Sequence, residues 1–296
     1  MKTIQINPSM NIQDTLLSIT TPGPLTFILE PGIYKQKLRI TRDDVCIQGS
    51  LHLESVIEWD DSANQIHADG LLFNTFRTPT VTILSSRVCL KNLVIRNTAG
   101  IGSDVGQAVA ISLYGDEFIA IGCSFEARQD TIFLGPLPVD LTKRYLGFLH
   151  SEELHTRPLH QTFIDCDVWG DVDFIFGSGQ AIFVDSRIHV LSNGYICAPS
   201  TYEGMPYGIV LVDCLIESLD PLAKPYLARP WREHGATLFY RCEFVGNFHE
   251  NRFHDWEKQS HILLEEPYVP STLGIRPSKE LQLFIEQTVA NIRSKF

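Results

Sequence analysis

The chain has no apolar run approaching the roughly 20 residues of a helical membrane span, so no such span is expected. It opens Met-Lys-Thr-Ile-Gln-Ile, without a basic stretch leading into an apolar run of about 7–15 residues, so no signal peptide is expected. Positive charge is scarce. Lys and Arg number 24 against 35 Asp and Glu, a formal net charge of -11. That excludes a broad electrostatic grip on nucleic acid or on an anionic membrane, and it works against global attraction to any anionic polymer. The seven cysteines are odd in number, and none pair at CxxC spacing, so neither a zinc knuckle nor a redox pair is indicated. Free buried thiols are the expectation, which favours a reducing compartment. GxSxG, GxxxxGK[ST] and GxGxxG are all missing, which removes the serine-esterase elbow and the common nucleotide loops. His150, His155 and His160 recur every five residues rather than the four of a helical zinc motif, so they read as a solvated loop and no metal is expected.

What is present is a core and a repeat. Hydrophobic residues make up 44% of 296 residues, enough for a sizeable interior. The length allows one large or two small domains. No linker or low-complexity run divides the chain, so one domain over 1–296 is expected. A short pattern recurs: apolar residues, a polar residue, a slot usually filled by Cys, one residue, then an apolar residue. Its copies are Ile-Gly-Cys-Ser-Phe (121–125), Ile-Asp-Cys-Asp-Val (164–168), Val-Asp-Ser-Arg-Ile (184–188), Val-Asp-Cys-Leu-Ile (212–216) and Tyr-Arg-Cys-Glu-Phe (240–244). Lys-Asn-Leu-Val-Ile (91–95) is an earlier copy with Leu93 in the slot, and the steps between slots are 30, 43, 20, 28 and 28 residues. A β-rich unit at this period, with no helical period between copies, points to a β-solenoid, because each repeat buries its apolar side only by stacking on the next. An antiparallel sandwich would repeat its strands every 8–12 residues or so. The 43-residue step carries an insertion of about 134–160, which a solenoid places as a loop on one face. Short helices are expected to cap the ends, at about 11–19 and about 278–294, the second with Leu281, Phe284, Ile285, Val289 and Ile292 on one stripe.

The repeat register brings two carboxylates together. Asp130 and Asp173 each lie seven residues after a slot cysteine, Cys123 and Cys166. If the cysteines stack, the aspartates occupy equivalent places on coils about 4.7–4.9 Å apart. Two such charges do not both ionise easily, so one remains an anion while the other holds its proton, the division of labour of a nucleophile and a general acid/base. The plainer reading is a pair of turn aspartates pointing to water. Against it, Gln-Asp-Thr-Ile-Phe (129–133) and Val-Asp-Phe-Ile-Phe-Gly (172–177) embed each Asp in an apolar segment, where an unpaired charge is costly.

Four segments carry a family resemblance. Gly-Gln-Ala-Val-Ala (106–110), Gln-Asp-Thr-Ile-Phe (129–133), Gly-Asp-Val-Asp-Phe-Ile-Phe-Gly (170–177) and Leu-Ala-Arg-Pro-Trp (227–231) resemble, in order, the signature segments of the pectin methylesterases. Glu-Pro-Gly-Ile-Tyr (30–34), Asn-Thr-Ala-Gly (97–100), Ile-Cys-Ala-Pro-Ser-Thr (196–201) and His-Asp-Trp-Glu-Lys (254–258) extend the likeness over about 12–260. The resemblance implies a single-stranded right-handed parallel β-helix and a carboxylic ester hydrolase that releases methanol from methylated homogalacturonan or its oligomers. It implies Asp173 as nucleophile and Asp130 as general acid, then base. It implies Gln107 and Gln129 as oxyanion donors, Arg229 as partner of Asp173, and Trp231, Phe133 and Phe176 as surfaces for sugar rings, with no cofactor. Three departures stand out. Ala228 replaces a usual Gly and would strain a positive-φ backbone. Phe133 replaces a common Tyr, and Ala127-Arg128 a common Gly-Tyr. Trp169 and Trp256 are further candidate sugar platforms, Trp169 equally a packing residue.

Other readings remain open on the residues: a hydrolase of another carbohydrate or acyl ester, a glycosidase or lyase using paired carboxylates, or a non-catalytic polysaccharide-binding solenoid. Two glutamines and an arginine around the pair fit ester chemistry better than glycoside cleavage. Methylated pectin is neutral, so an acidic protein need not repel it, and Lys143, Arg144, Arg157, Lys224, Arg229 and Arg232 form a potential basic rim. The expected partner is methylated pectin or oligogalacturonide, with no nucleic acid or membrane and a monomer favoured. Without a leader, a cytoplasmic enzyme acting on short imported oligomers is expected, or a secreted one if a leader has been removed.

Overall fold

The structure is a computed structural model that describes residues 2–270 and 273–296. Its strands form a right-handed parallel β-helix, the hand in which a twisted strand returns beside a parallel neighbour in nearly all proteins. A ten-stranded sheet forms one side. It runs from Lys2–Ile6 through Phe118–Ile121, His160–Ile164 and Gln180–Val184 to Ile262–Glu266. A thirteen-stranded sheet wraps the rest of the coil and turns a corner within itself. In one coil that corner separates Ser124–Glu126 from Ile132–Leu134. In the next, the single strand Asp167–Gly177 runs through it and pairs with both, and its register against Arg187–Pro199 shifts between Gly170 and Val172 and between Val172 and Ile175.

The recurrent slot is the ladder the sequence implied. The residue after each slot donates its N–H to the slot carbonyl of the coil below: Ser124 to Leu93, Asp167 to Cys123, Arg187 to Cys166, Leu215 to Ser186 and Glu243 to Cys214, all at 2.8–3.0 Å. The residue before each slot is left-handed: Asn92, Gly122, Asp165, Asp185, Asp213 and Arg241 have φ of 50–59°. Asn, Asp and Gly tolerate that turn, which explains why they dominate the position. The turn directs the next side chain inward, so Cys123, Cys166 and Cys214 are buried in the core.

Side chains alternate across the ten-stranded sheet with the period of two that a pleat imposes. Phe163 and Phe183 face inward and stack, with centroids 4.2 Å apart and planes 5° from parallel. Ile182, Val184, Val210, Val212, Leu238 and Tyr240 face outward, yet they too are buried. Their cover is helix α3 (Lys279–Arg293), capped by Ser278. Its Ile285 and Val289 pack on this outer surface. The C-terminal helix therefore covers a flank of the coil rather than lying across its end. Helix α1 (Ile12–Ser18), capped by Asn11, does close an end: Ile12 and Leu16 join the core beside the first coils, and Gln13 Oε1 accepts the Arg39 N–H at 2.7 Å. At the other end Phe253 enters the core and the buried Arg252–Glu265 ion pair sits beside Phe244.

Candidate active site

The site lies where five strands of the thirteen-stranded sheet stack in register: Ile111 opposite Ile132, Ile175, Cys197 and Ala228 in turn. Just before them the chain turns the corner, and there it presents Gln107, Gln129, Asp130 and Asp173. Both aspartates are left-handed, with φ of 66° at Asp130 and 52° at Asp173, and the Asp130 N–H donates to the Val172 carbonyl at 3.1 Å. Asp173 lies within the strand Asp167–Gly177, where its register breaks, and Asp130 lies two residues before the strand Ile132–Leu134. They are corner residues of a kind that suits Asp, yet each is pinned by apolar neighbours. Phe174 and Ile132 are wholly buried in the core, while Asp130 and Asp173 line the cleft on the outer side of the coil. Gly170 makes room for Phe174: a Cβ there would meet Phe174 Cβ and Cγ at 2.3 Å.

Arg229 clamps Asp173 through two parallel bonds, Nε to Oδ1 at 2.9 Å and Nη2 to Oδ2 at 2.5 Å. Such a bidentate pair sets the orientation as well as the charge. The guanidinium carbon lies 4.1 Å from the ring centroids of both Tyr195 and Trp256. Asp130 is 8% exposed. Burial pushes its carboxyl well above the ordinary range and the adjacent Asp173 charge pushes it further, against the smaller opposing effects of the Gln129 amide and Arg229. Burial also raises Asp173, but there the bond and charge of Arg229 resist it. For Arg229 the loss of hydration is outweighed by the bond and charge of Asp173 and by Tyr195, so its cation is reinforced. The order follows: Asp173 ionises first, and Asp130 keeps its proton.

These groups share one cleft of about 420 Å³. Of the residues expected from the sequence, Gln107, Gln129, Asp130, Asp173, Phe176, Arg229 and Trp231 all line it. Phe133 does not. It is fully buried beneath Phe176, ring centroids 5.2 Å apart, with Phe76 and Tyr114 on its other sides. It can support Phe176 but cannot touch a sugar. Sequence reasoning missed Tyr195 and Tyr145; Arg144 belongs to the basic rim it proposes and does line the cleft. Arg144 and Tyr145 come from the insertion, which carries helix α2 (Val139–Arg144). Trp256, a candidate platform, lies against Arg229 and lines the cleft. Within the supposed rim, Arg229, Arg144 and Arg232 line the cleft, Arg232 being paired with Asp140 at 2.8 Å. Lys143, Arg157 and Lys224 do not line it.

The departures resolve in physical terms. Ala228 ends the strand Tyr226–Ala228, paired opposite Cys197, and its methyl is buried in the core; the backbone is extended, and the strain anticipated there does not arise. Arg128 pairs with Asp171 at 2.9 Å and, with Trp169, lines a separate hollow on the neighbouring face. Trp169 stacks on His189 there, centroids 3.8 Å apart, away from the aspartates. The three spaced histidines do not converge. His155 bonds the Tyr114 carbonyl, His160 bonds Asp116, and the His150 N–H is capped by Glu153. His155 is half-buried rather than solvated.

Comparison with known proteins gives the same reading from another direction. A family model described as Pectinesterase matches residues 11–136 and 147–265. "Probable pectinesterase/pectinesterase inhibitor 41" of Arabidopsis thaliana is 28% identical over 233 residues, 74% of this chain and 35% of that protein. "Pectinesterase QRT1" of the same plant is 27% identical over 252 residues, 81% of this chain and 60% of that protein. The chain therefore spans only about a third to three fifths of these relatives' own length. Among solved structures, pectin methylesterase PemA from Erwinia chrysanthemi superposes with a TM-score of 0.75 at 20% identity, covering 95% of this chain and 94% of that one. A pectin methylesterase in complex with a hexasaccharide superposes at 0.72 and 22% identity, covering 92% and 90%. At such identities these structures speak for the fold.

Proposed function

The chain belongs to the pectinesterase family, and from that premise we propose that it hydrolyses the methyl esters of homogalacturonan or its oligomers, with Asp173 as nucleophile and Asp130 as proton carrier. One observation carries the assignment: in a single cleft, one carboxylate is locked in a bidentate arginine clamp and the other is buried without a cation of its own. An Asp173 oxygen attacks the ester carbonyl carbon. The oxyanion forms toward the side-chain amides of Gln107 and Gln129. As the tetrahedral species collapses, the C–OCH₃ bond breaks and Asp130 gives its proton to the departing oxygen, releasing methanol. The galacturonyl group is then bonded to Asp173. Asp130, now the base, takes a proton from water, and the hydroxide attacks the galacturonyl carbonyl. The bond to Asp173 breaks, Asp173 leaves as a carboxylate, Asp130 is again protonated, and the galacturonic acid gives its own proton to solvent as the uronate departs. Arg229 keeps Asp173 ionised and aligned throughout. Trp231 offers a ring surface to the sugar, Phe176, 3% exposed, backs it edge to face at 5.8 Å, and the hexasaccharide bound by one solved relative supports an oligomeric ligand.

The family also corrects the cytoplasmic placement. Homologous pectinesterases of plants and bacteria are secreted cell-wall or extracellular enzymes. Cys123, Cys166, Cys197 and Cys214 are at most 1% exposed, so their free thiols do not report the compartment. A thiol sealed in a core is shielded from oxidants in any compartment.

The test is methanol release from methylated pectin and methylated oligogalacturonides by wild type and by Asp173→Asn, which keeps the shape beside Arg229. A loss of about 10³-fold or more in kcat with an unchanged circular dichroism spectrum is expected. Full activity in the folded variant would overturn the nucleophile assignment.

A further inference from the structure

The family model leaves residues 137–146 unmatched between its two halves, and this segment forms one wall of the cleft. Leu141, Tyr145 and Leu149 pack over Phe76, Tyr114 and Phe133, aromatic side chains that the coil would otherwise present on its open face. The segment is tied down at several points. The Tyr145 hydroxyl donates to Asn74 Oδ1 at 2.9 Å. Arg77 donates to the Phe148 carbonyl at 2.7 and 3.2 Å and stacks on its ring at 3.6 Å. On the opposite rim Asp140 holds Arg232, and the Tyr202 hydroxyl donates to the Leu137 carbonyl at 2.5 Å. A second hollow of about 790 Å³ shares Phe76 with the cleft and is lined by Phe148 and Leu149, just after the strap. Trp231 and Trp256 also line the cleft.

Charge singles out one residue of the strap. Of the three arginines lining the cleft, Arg229 is paired with Asp173 and Arg232 with Asp140. Arg144 is exposed and makes no ion pair among the described residues.

Resting on the esterase reading, we propose that the strap closes the cleft on one side, so that the enzyme acts at chain ends and on short oligomers, and that Arg144 at this closed side binds a free carboxylate on a ring next to the methylated one. A closed side leaves no path for a polymer to continue past the reacting ring. A guanidinium there favours a uronate over its neutral methyl ester, since only the former offers a charge-assisted bond. The strap would thus convert a trough for polymer into a pocket for an end, with selectivity for substrate already partly demethylated.

Methanol release by wild type is measured at equal ester concentration on long methylated pectin, on the same pectin cut to oligomers, and on oligomers carrying one free carboxylate. The expected result is a yield that rises with the number of chain ends, at least tenfold from polymer to hexamer, and a lower KM for the oligomers with the free carboxylate. Arg144→Gln is expected to raise that KM about tenfold and to abolish the preference, with Arg144→Lys recovering part of it. Equal release per ester from polymer and oligomer would overturn the closed cleft. A KM unmoved in folded Arg144→Gln would overturn the carboxylate site. Absence of methanol from every substrate would instead overturn the esterase reading and this inference with it.

Discussion

Asp130 is the residue whose environment has the sharpest consequences. Its carboxyl is buried and faces the charge of Asp173, both of which favour the protonated form. The proposed chemistry requires Asp173 ionised and Asp130 protonated, so the rate should rise as Asp173 loses its proton and fall as Asp130 does. Both limbs of the bell in kcat/KM should lie above the ordinary carboxylate range of about 4, read as methanol release against pH. Stability carries the same sign. A carboxyl raised on folding binds its proton more tightly in the folded chain. Its contribution is therefore complete below the unfolded value of about 3.9 and is lost as pH rises through the folded value. Asp130→Asn never ionises and escapes that loss. It should be inactive yet more stable, with a Tm advantage that widens as pH rises from about 4. Each kcal/mol recovered corresponds to about 2–4 °C in a chain of this size. A melting series of both proteins across pH checks this, and a Tm gap independent of pH would refute it.

At the scale of elements, α3 has the clearest energetic role. The outward side of a sheet in a solenoid ordinarily faces water, but here Val184, Val210 and Val212 are 0% exposed because Ile285 and Val289 cover them. Ile285→Ala removes a side chain that is wholly buried against this patch. It should cost roughly 2–5 kcal/mol in urea denaturation while leaving kcat close to wild type, since the helix lies on a different sheet from the cleft. A drop in kcat in the folded variant would mean that the flank and the site are coupled. The stripe along α3 was legible in the sequence because a helix period shows in any amphipathic run. Which surface it would cover was not, because the outward valines of the sheet look like the inward ones when read as a string.

Across the whole molecule the cysteines test the solenoid directly. Cys123, Cys166, Cys197 and Cys214 are sealed in the coil, whereas Cys46, Cys89 and Cys242 are half-buried. A thiol reagent should therefore label no more than three cysteines quickly in the native protein and all seven in guanidinium. Rapid labelling of more than three would contradict the stacked ladder. The same count explains why free thiols gave no guidance about compartment.

The sequence by itself determined the coil, because a stacked repeat needs a left-handed residue and a small inward side chain at each corner, and both recur visibly from Leu93 to Cys242. It also determined the meeting of Asp130 with Asp173, since equal offsets from stacked slots become equal heights on successive coils. Only the tertiary structure decided which aromatic ring faces a ligand. Phe133 and Phe176 occupy matching places in similar segments and are 0% and 3% exposed, yet only Phe176 lines the cleft. Only the tertiary structure placed Tyr195 and Trp256 against Arg229 and brought Arg144 into the cleft. Those contacts join residues dozens of positions apart in segments without a shared period, so no local pattern could announce them.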